Sequence, residues 1–139
     1  MILLDTDVVS GLRRPERAHP NLVRWARRNS LSGLYLSAVT VLEIEIGVLQ
    51  IERLDAEQGR VLRSWFEERI LAGFADRILP LDLEAARRCA PLHVPDRRPD
   101  RDAMIAATAI ARGIPVATRN TADFTPTGVH LVNPWETES

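Results

Sequence analysis

Lysine is absent. All 18 basic residues of this 139-residue chain are arginines, set against 19 acidic ones for a net charge of -1. Chemistry that needs a lysine amine is excluded, and contacts to phosphate fall to arginine forks or to backbone N–H groups. The near-neutral total excludes a surface that traps polyanions by bulk charge alone. Cysteine is nearly absent too: Cys89 stands alone, so the chain forms no internal disulfide and suits a reducing compartment. No apolar run approaches the length that crosses a bilayer, and the first residues lack the basic-then-apolar shape of a secretion signal. Together these absences predict a cytoplasmic protein with no membrane segment.

What is present reads as one globular domain. Hydrophobic residues make up 45% of the chain, enough for a real core, and no repeat, low-complexity tract or interdomain linker interrupts it. The expected domain spans residues 1–135, with 136–139 as a frayed tail. The organising stretch is Met1-Ile2-Leu3-Leu4-Asp5-Thr6-Asp7. Its apolar run reads as a strand buried on both faces, and Asp5 stands where that strand leaves the sheet. That is where open α/β sheets bind ligands, although Asp5 or Thr6 also suits a simple helix cap.

Further elements alternate along the chain. Pro20 opens a helix carrying Leu22, Val23, Trp25 and Ala26. Leu34 to Ser37 reads as a second strand, and a nearly all-apolar helix follows near Thr40 to Ile51. At 100° per residue, Glu43 shares a face of that helix with Thr40, Gly47 and Gln50, while Glu45 points elsewhere. Leu54 to about Gly73 reads as a second long helix whose seam is Val61, Leu62, Trp65, Phe66, Ile70 and Leu71, giving an αα-hairpin. Arg77 to Leu81 is a third strand, and Asp82 caps a helix through Cys89 with Leu83, Ala86 and Ala90 turned inward. The helix from Arg101 to Arg112 is framed by Asp100 as N-cap and by Gly113, with alanines that allow close approach to a sheet. Pro115 to Thr118 and Val129 to Val132 complete the strands.

This alternation predicts a three-layer α/β/α fold around a central, mostly parallel sheet of four to five strands with right-handed crossovers. In that architecture strand C-termini and helix N-termini share one rim. Asp5, Glu43, Asp102 and Asp123, far apart in sequence, all fall on it. Two like charges 4 Å apart repel by about 4 kcal/mol at an effective dielectric near 20, so four crowded carboxylates call for a cation between them. Oxygen-only ligation suits Mg²⁺ or Mn²⁺, ions that activate water and steady charge on a phosphoryl oxygen. The expectation is metal-dependent phosphodiester chemistry.

Several stretches also carry a family likeness. They are Leu3-Leu4-Asp5-Thr6, Ser37-Ala38-Val39-Thr40 leading to Glu43 and Gly47, Asp102 to Ala109, Thr118-Arg119-Asn120, Asp123-Phe124 and Asn133-Pro134-Trp135. In this order the chain resembles the PIN-domain ribonucleases, in particular the VapC-type toxins of toxin–antitoxin pairs. The resemblance implies an endoribonuclease with Asp5 and Asp102 as metal ligands. It further implies that Glu43 is a ligand or orients the attacking water, and that Asp123 completes the acidic set. Thr6 and Asn120 would hold these carboxylates in place. The implied partners are an RNA substrate, a VapB-like antitoxin whose C-terminal segment lies over the site, and a second copy of the chain. Two positions depart from the family: Asp7, where Asn is more usual, and Glu45, where Arg is. Neither has an assigned role.

Other readings are weaker. An aspartyl-phosphate enzyme similar to the haloacid-dehalogenase phosphatases fits Asp5-x-Asp7 but lacks the lysine that balances its phosphoryl oxygens. A catalytically silent PIN scaffold that only binds RNA or a protein would be expected to have lost one or more rim acids, and all four remain. His19, His93 and His130 have no zinc-type spacing. Arg119, Arg101 and Arg98 flank rim segments and are candidates for RNA phosphate contacts.

Overall fold

The computed structural model of the protein describes residues 1–136. Among these the chain forms five strands and seven α-helices. The strands are β1 (Ile2–Leu4), β2 (Leu34–Ser37), β3 (Ile78–Leu79), β4 (Val116–Ala117) and β5 (Leu131–Val132). They pair throughout in parallel in the order β3-β2-β1-β4-β5, so the first strand of the chain is the middle of the sheet. In register, Leu4 sits between Leu36 and Ala117, and Leu3 between Tyr35 and Val116.

Because side chains alternate across a sheet, Leu3 and Leu4 face opposite sides and anchor two separate cores. Leu4, Leu34, Leu36 and Ala117 pack beneath α1 (Thr6–Gly11), α2 (Pro20–Arg28), α3 (Ala38–Leu54) and the segment after α4 (Ala56–Trp65). On the other side, Leu3 and Val116 meet Ile105, Ala106 and Ala109 of α6 (Asp100–Arg112) and Phe124 of α7 (Thr121–Phe124). The alanines keep α6 thin enough to lie close on the sheet. Helices on both faces make the expected three layers. Gly113 ends α6 in the left-handed region at φ 67°, as its place after Arg112 predicts.

Several details differ, among them the last strands, which are each only two residues long. Chain 54–73 is not one regular helix. Asp55 caps α4 by accepting from the Glu57 and Gln58 amides, and Phe66–Leu71 then widens into a π-helical segment. That wider turn keeps Phe66 and Ile70 in the core, while Val61, placed by its spacing in the apolar seam, is 55% exposed. In α5 (Leu83–Cys89), Asp82 caps as expected, but Ala85 and Cys89 face inward and Leu83 is 77% exposed. The reason is the partner surface: Cys89 packs against Ala103 and Ala107 of α6, a close contact that selects small side chains. Asp100 is the first residue of α6 rather than its N-cap, which is Pro99; its carboxylate is engaged by Arg97 at 3.3 Å. At the C-terminus the Glu136 amide still donates to the Asn133 carbonyl at 3.2 Å; the rest of the tail expected to fray, 137–139, lies outside the described residues.

The αα-hairpin of α3 and α4 is tightly built. Arg63 of α4 reaches Glu45 at 2.6 Å and Glu52 at 2.8 Å, which gives Glu45 a structural partner on the side of α3 away from Glu43. Gly59 lies under Glu52, where a Cβ would stand 2.6 Å from the Glu52 Cα. Alanine raises helix propensity by about 1 kcal/mol, but a backbone clash of this kind costs more because only helix separation relieves it. Gly59→Ala is therefore expected to lose about 1–2 kcal/mol, read as a lower urea midpoint at unchanged slope. No helix among the described residues is long and apolar enough to cross a membrane.

Candidate active site

Parallel pairing delivers the ends of β1, β2 and β4 to one rim. Asp5 follows β1 directly. Its backbone N–H still donates to the Ala117 carbonyl at 2.9 Å, which fixes the residue against the sheet. The carboxylate is buried, 6% exposed, with both oxygens engaged. Oδ1 accepts from the Thr6 amide at 2.8 Å and so caps α1, while Oδ2 accepts from the Thr118 hydroxyl at 2.7 Å. Burial pushes its pKa up to about 7; the Thr118 and Thr6 bonds pull the other way, and the charges of Asp7 and Asp102 add to the rise.

Glu43 lies on α3, whose start is fixed by Ser37 capping the Val39 amide. The Thr6 hydroxyl donates to Glu43 Oε1 at 2.8 Å and lies 3.2 Å from the hydroxyl of Thr40, one turn earlier on α3. Arg101 Nη1 stands 3.8 Å from Glu43 Oε2. Asp102, in the first turn of α6, has its pKa raised by burial and then by the charges of Asp123, Glu43 and Asp7. Asp123, in α7, is exposed and accepts from the Asn120 side-chain amide at 2.6 Å.

The fold thus brings Asp5, Glu43, Asp102 and Asp123 within electrostatic reach of one another, with Asp7 as a fifth acid. Among the described residues no three of them are grouped tightly enough to hold a metal ion as they stand. The donor set nevertheless fits a hard divalent cation. It is all oxygen, and Asp5 and Asp102 are held against their charged forms. A bound cation favours the charged form of both carboxylates.

Among the arginines, Arg119 is exposed with its guanidinium 5.6 Å from the centroid of the Trp135 ring, Arg101 leans toward Glu43, and Arg98 is half-buried on the loop before α6. Sequence reasoning missed Thr118 and Asp7 as working parts. Thr118 is fully buried at the end of β4, and a polar residue closing so short an apolar strand was the available signal.

The PIN-domain family model matches residues 2–125, which contain all five acids. The chain belongs to the PIN-domain family. This PIN domain is 36% identical over 143 residues to the VapC ribonuclease Y4jK of Sinorhizobium fredii, covering 98% of this chain and 99% of that one. It is 39% identical over 140 residues to the toxin FitB of Neisseria gonorrhoeae, with 97% and 99% covered. Among solved structures, a chain of FitAB bound to the IR36 DNA fragment superposes on the PIN domain with a TM-score of 0.91 at 38% identity, covering 100% of this chain and 99% of that chain. A chain of FitAcB from N. gonorrhoeae gives 0.89 at 37%, with 99% and 100% covered.

Proposed function

We propose that the protein is a divalent-metal-dependent endoribonuclease of the cytoplasm and the toxin of a VapBC-type toxin–antitoxin pair. The observation that carries this reading is the convergence of acids from four separate elements on one sheet rim, in a chain whose full-length relatives are named ribonuclease and toxin. Asp5, Glu43, Asp102 and Asp123 would hold Mg²⁺ or Mn²⁺. When bound, such an ion supplies a water of lowered pKa and balances the charge that develops on the phosphoryl oxygens.

The chain's own residues orient the acids and receive the RNA. Thr118 fixes one edge of Asp5, Thr6 fixes Glu43 Oε1, and Asn120 fixes Asp123 Oδ2, so each carboxylate keeps its other lone pairs for the site. Glu43 Oε2, 3.8 Å from Arg101 Nη1, is the edge that would bind the ion or orient the attacking water. Arg119, Arg101 and Arg98 supply the positive charge for phosphates on either side of the scissile bond. For the antitoxin, support comes from an apolar groove of about 890 Å³ bounded by Val9 of α1, Leu12 just after it, Leu31, Trp65, Ile70 and Phe74. Its size and lining suit an apolar segment of a partner chain.

The test is cleavage mapping on total RNA with added Mg²⁺ or Mn²⁺ and after chelation. Discrete cuts that need the ion are expected, with cleavage down about a hundredfold or more on chelation. RNA that is bound but left whole under all conditions would transfer the reading to a binding scaffold.

A further inference from the structure

We propose that Asp7 is a positioning residue, whose carboxylate fastens the segment carrying Asn120 and Asp123 to the turn carrying Asp5. The inference rests on the nuclease reading for its catalytic meaning, but the tether itself is independent of it. Asp7 is the second residue of the six-residue helix α1, while its hydrogen-bond partners lie 111 and 112 positions away, just past β4. Oδ2 accepts from the Arg119 backbone amide at 2.9 Å and stands 3.3 Å from the Thr118 hydroxyl oxygen.

The Thr118 hydroxyl has one proton, and geometry decides where it goes. Asp5 Oδ2 is at 2.7 Å and Asp7 Oδ2 at 3.3 Å, while the Thr118 oxygen itself accepts from the Asn120 amide at 3.0 Å. Thr118 therefore links Asn120 to Asp5. The bond that belongs to Asp7 is the one from Arg119. Two tethers run side by side across the rim, from Arg119 to Asp7 and from Asn120 through Thr118 to Asp5. Asn120 in turn holds Asp123 at 2.6 Å, so the path from Asp7 ends on a rim acid.

A side chain needed only for helix α1 has no reason to make this reach, because Asp5 already caps that helix. Nor does solubility explain it, since Asp7 Oδ1 is buried without a partner, an arrangement that opposes folding. The carboxylate is kept where it serves the rim. Its acceptor oxygen, rather than its charge, is what the Arg119 amide uses.

Asp7→Ala and Asp7→Asn separate these contributions. In Asp7→Ala the Arg119 amide is expected to exchange with deuterium as fast as an unbonded loop amide, and RNA cleavage to fall by roughly tenfold, the scale of losing one hydrogen bond. Mn²⁺ affinity, titrated calorimetrically without RNA, should weaken in parallel. Asp7→Asn keeps an acceptor oxygen, so it should restore Arg119 protection and bring cleavage back to within about threefold of wild type. Unchanged Arg119 exchange in Asp7→Ala overturns the proposal, and so does an Asn variant as defective as the Ala variant. If Asp7→Ala does not fold, Arg119 exchange in Asp7→Asn decides alone: protection kept supports the tether, protection lost overturns it. A wild type that cuts no RNA while Arg119 exchange responds to Asp7 as stated would sink the nuclease reading and leave the tether standing.

Discussion

Asp102→Asn is expected to lose RNA cleavage by about a hundredfold to a thousandfold while the protein stays folded. Asp102 is the acid on which the other charges bear most directly, since Asp123, Glu43 and Asp7 all raise its pKa. Replacing it by the amide keeps shape and removes the charge that a cation would balance. The fold does not depend on that carboxylate. Helix α6 is held by Ala103, Ile105, Ala106, Ala107 and Ala109, each fully buried. Removing one of several repelling charges should leave the melting temperature unchanged or higher. Circular dichroism melts beside the cleavage assay check this. A variant that is folded and still cuts near the wild-type rate would place the chemistry elsewhere.

The second large effect concerns Asp5 and pH. Its pKa stands near 7 in the folded chain, against 3.8 for an ordinary aspartate. The folded state therefore holds a proton that the unfolded state releases between about pH 4 and pH 7. The contribution of Asp5 to stability is full below the lower value and is lost as pH rises through the upper one. A shift of this size corresponds to at most about 4 kcal/mol. Metal-free protein should accordingly show a falling urea midpoint from pH 5 to pH 8, and Mn²⁺ at pH 8 should restore it by binding the folded state. Asp5→Asn, neutral throughout, should be the more stable protein at pH 8 and inactive on RNA. A lower midpoint for Asp5→Asn than for wild type at pH 8 would show that burial of the Asp5 charge is not what limits stability.

Much of this architecture is legible in the sequence. The apolar run before Asp5, the strand at Leu34–Ser37, the Asp82 cap and the Gly113 stop each rest on a local rule, and each holds. The common rim follows from parallel pairing alone, so acids separated by up to 118 positions (Asp5 to Asp123) are assigned to one edge from the sequence. What escaped was decided by contacts between elements. α5 has alanine or leucine on several sides, so composition does not fix which side faces inward; the alanine surface of α6 does. The widened turn at Phe66–Leu71 obeys the demand to bury Phe66 and Ile70 together, a demand invisible to periodicity. Thr118 and Asp7 act through hydrogen bonds whose partners lie more than a hundred positions away, beyond any motif.

The sheet order has a consequence for synthesis. β1 is made first yet needs β4, made near the end, to complete its ladder, and Asp102 and Asp123 emerge in the final third of the chain. A ribosome that stops early releases a fragment with Asp5 and Glu43 but no rim to join. Any RNA-cutting capacity that needs all four acids thus waits until Asp123 has been translated.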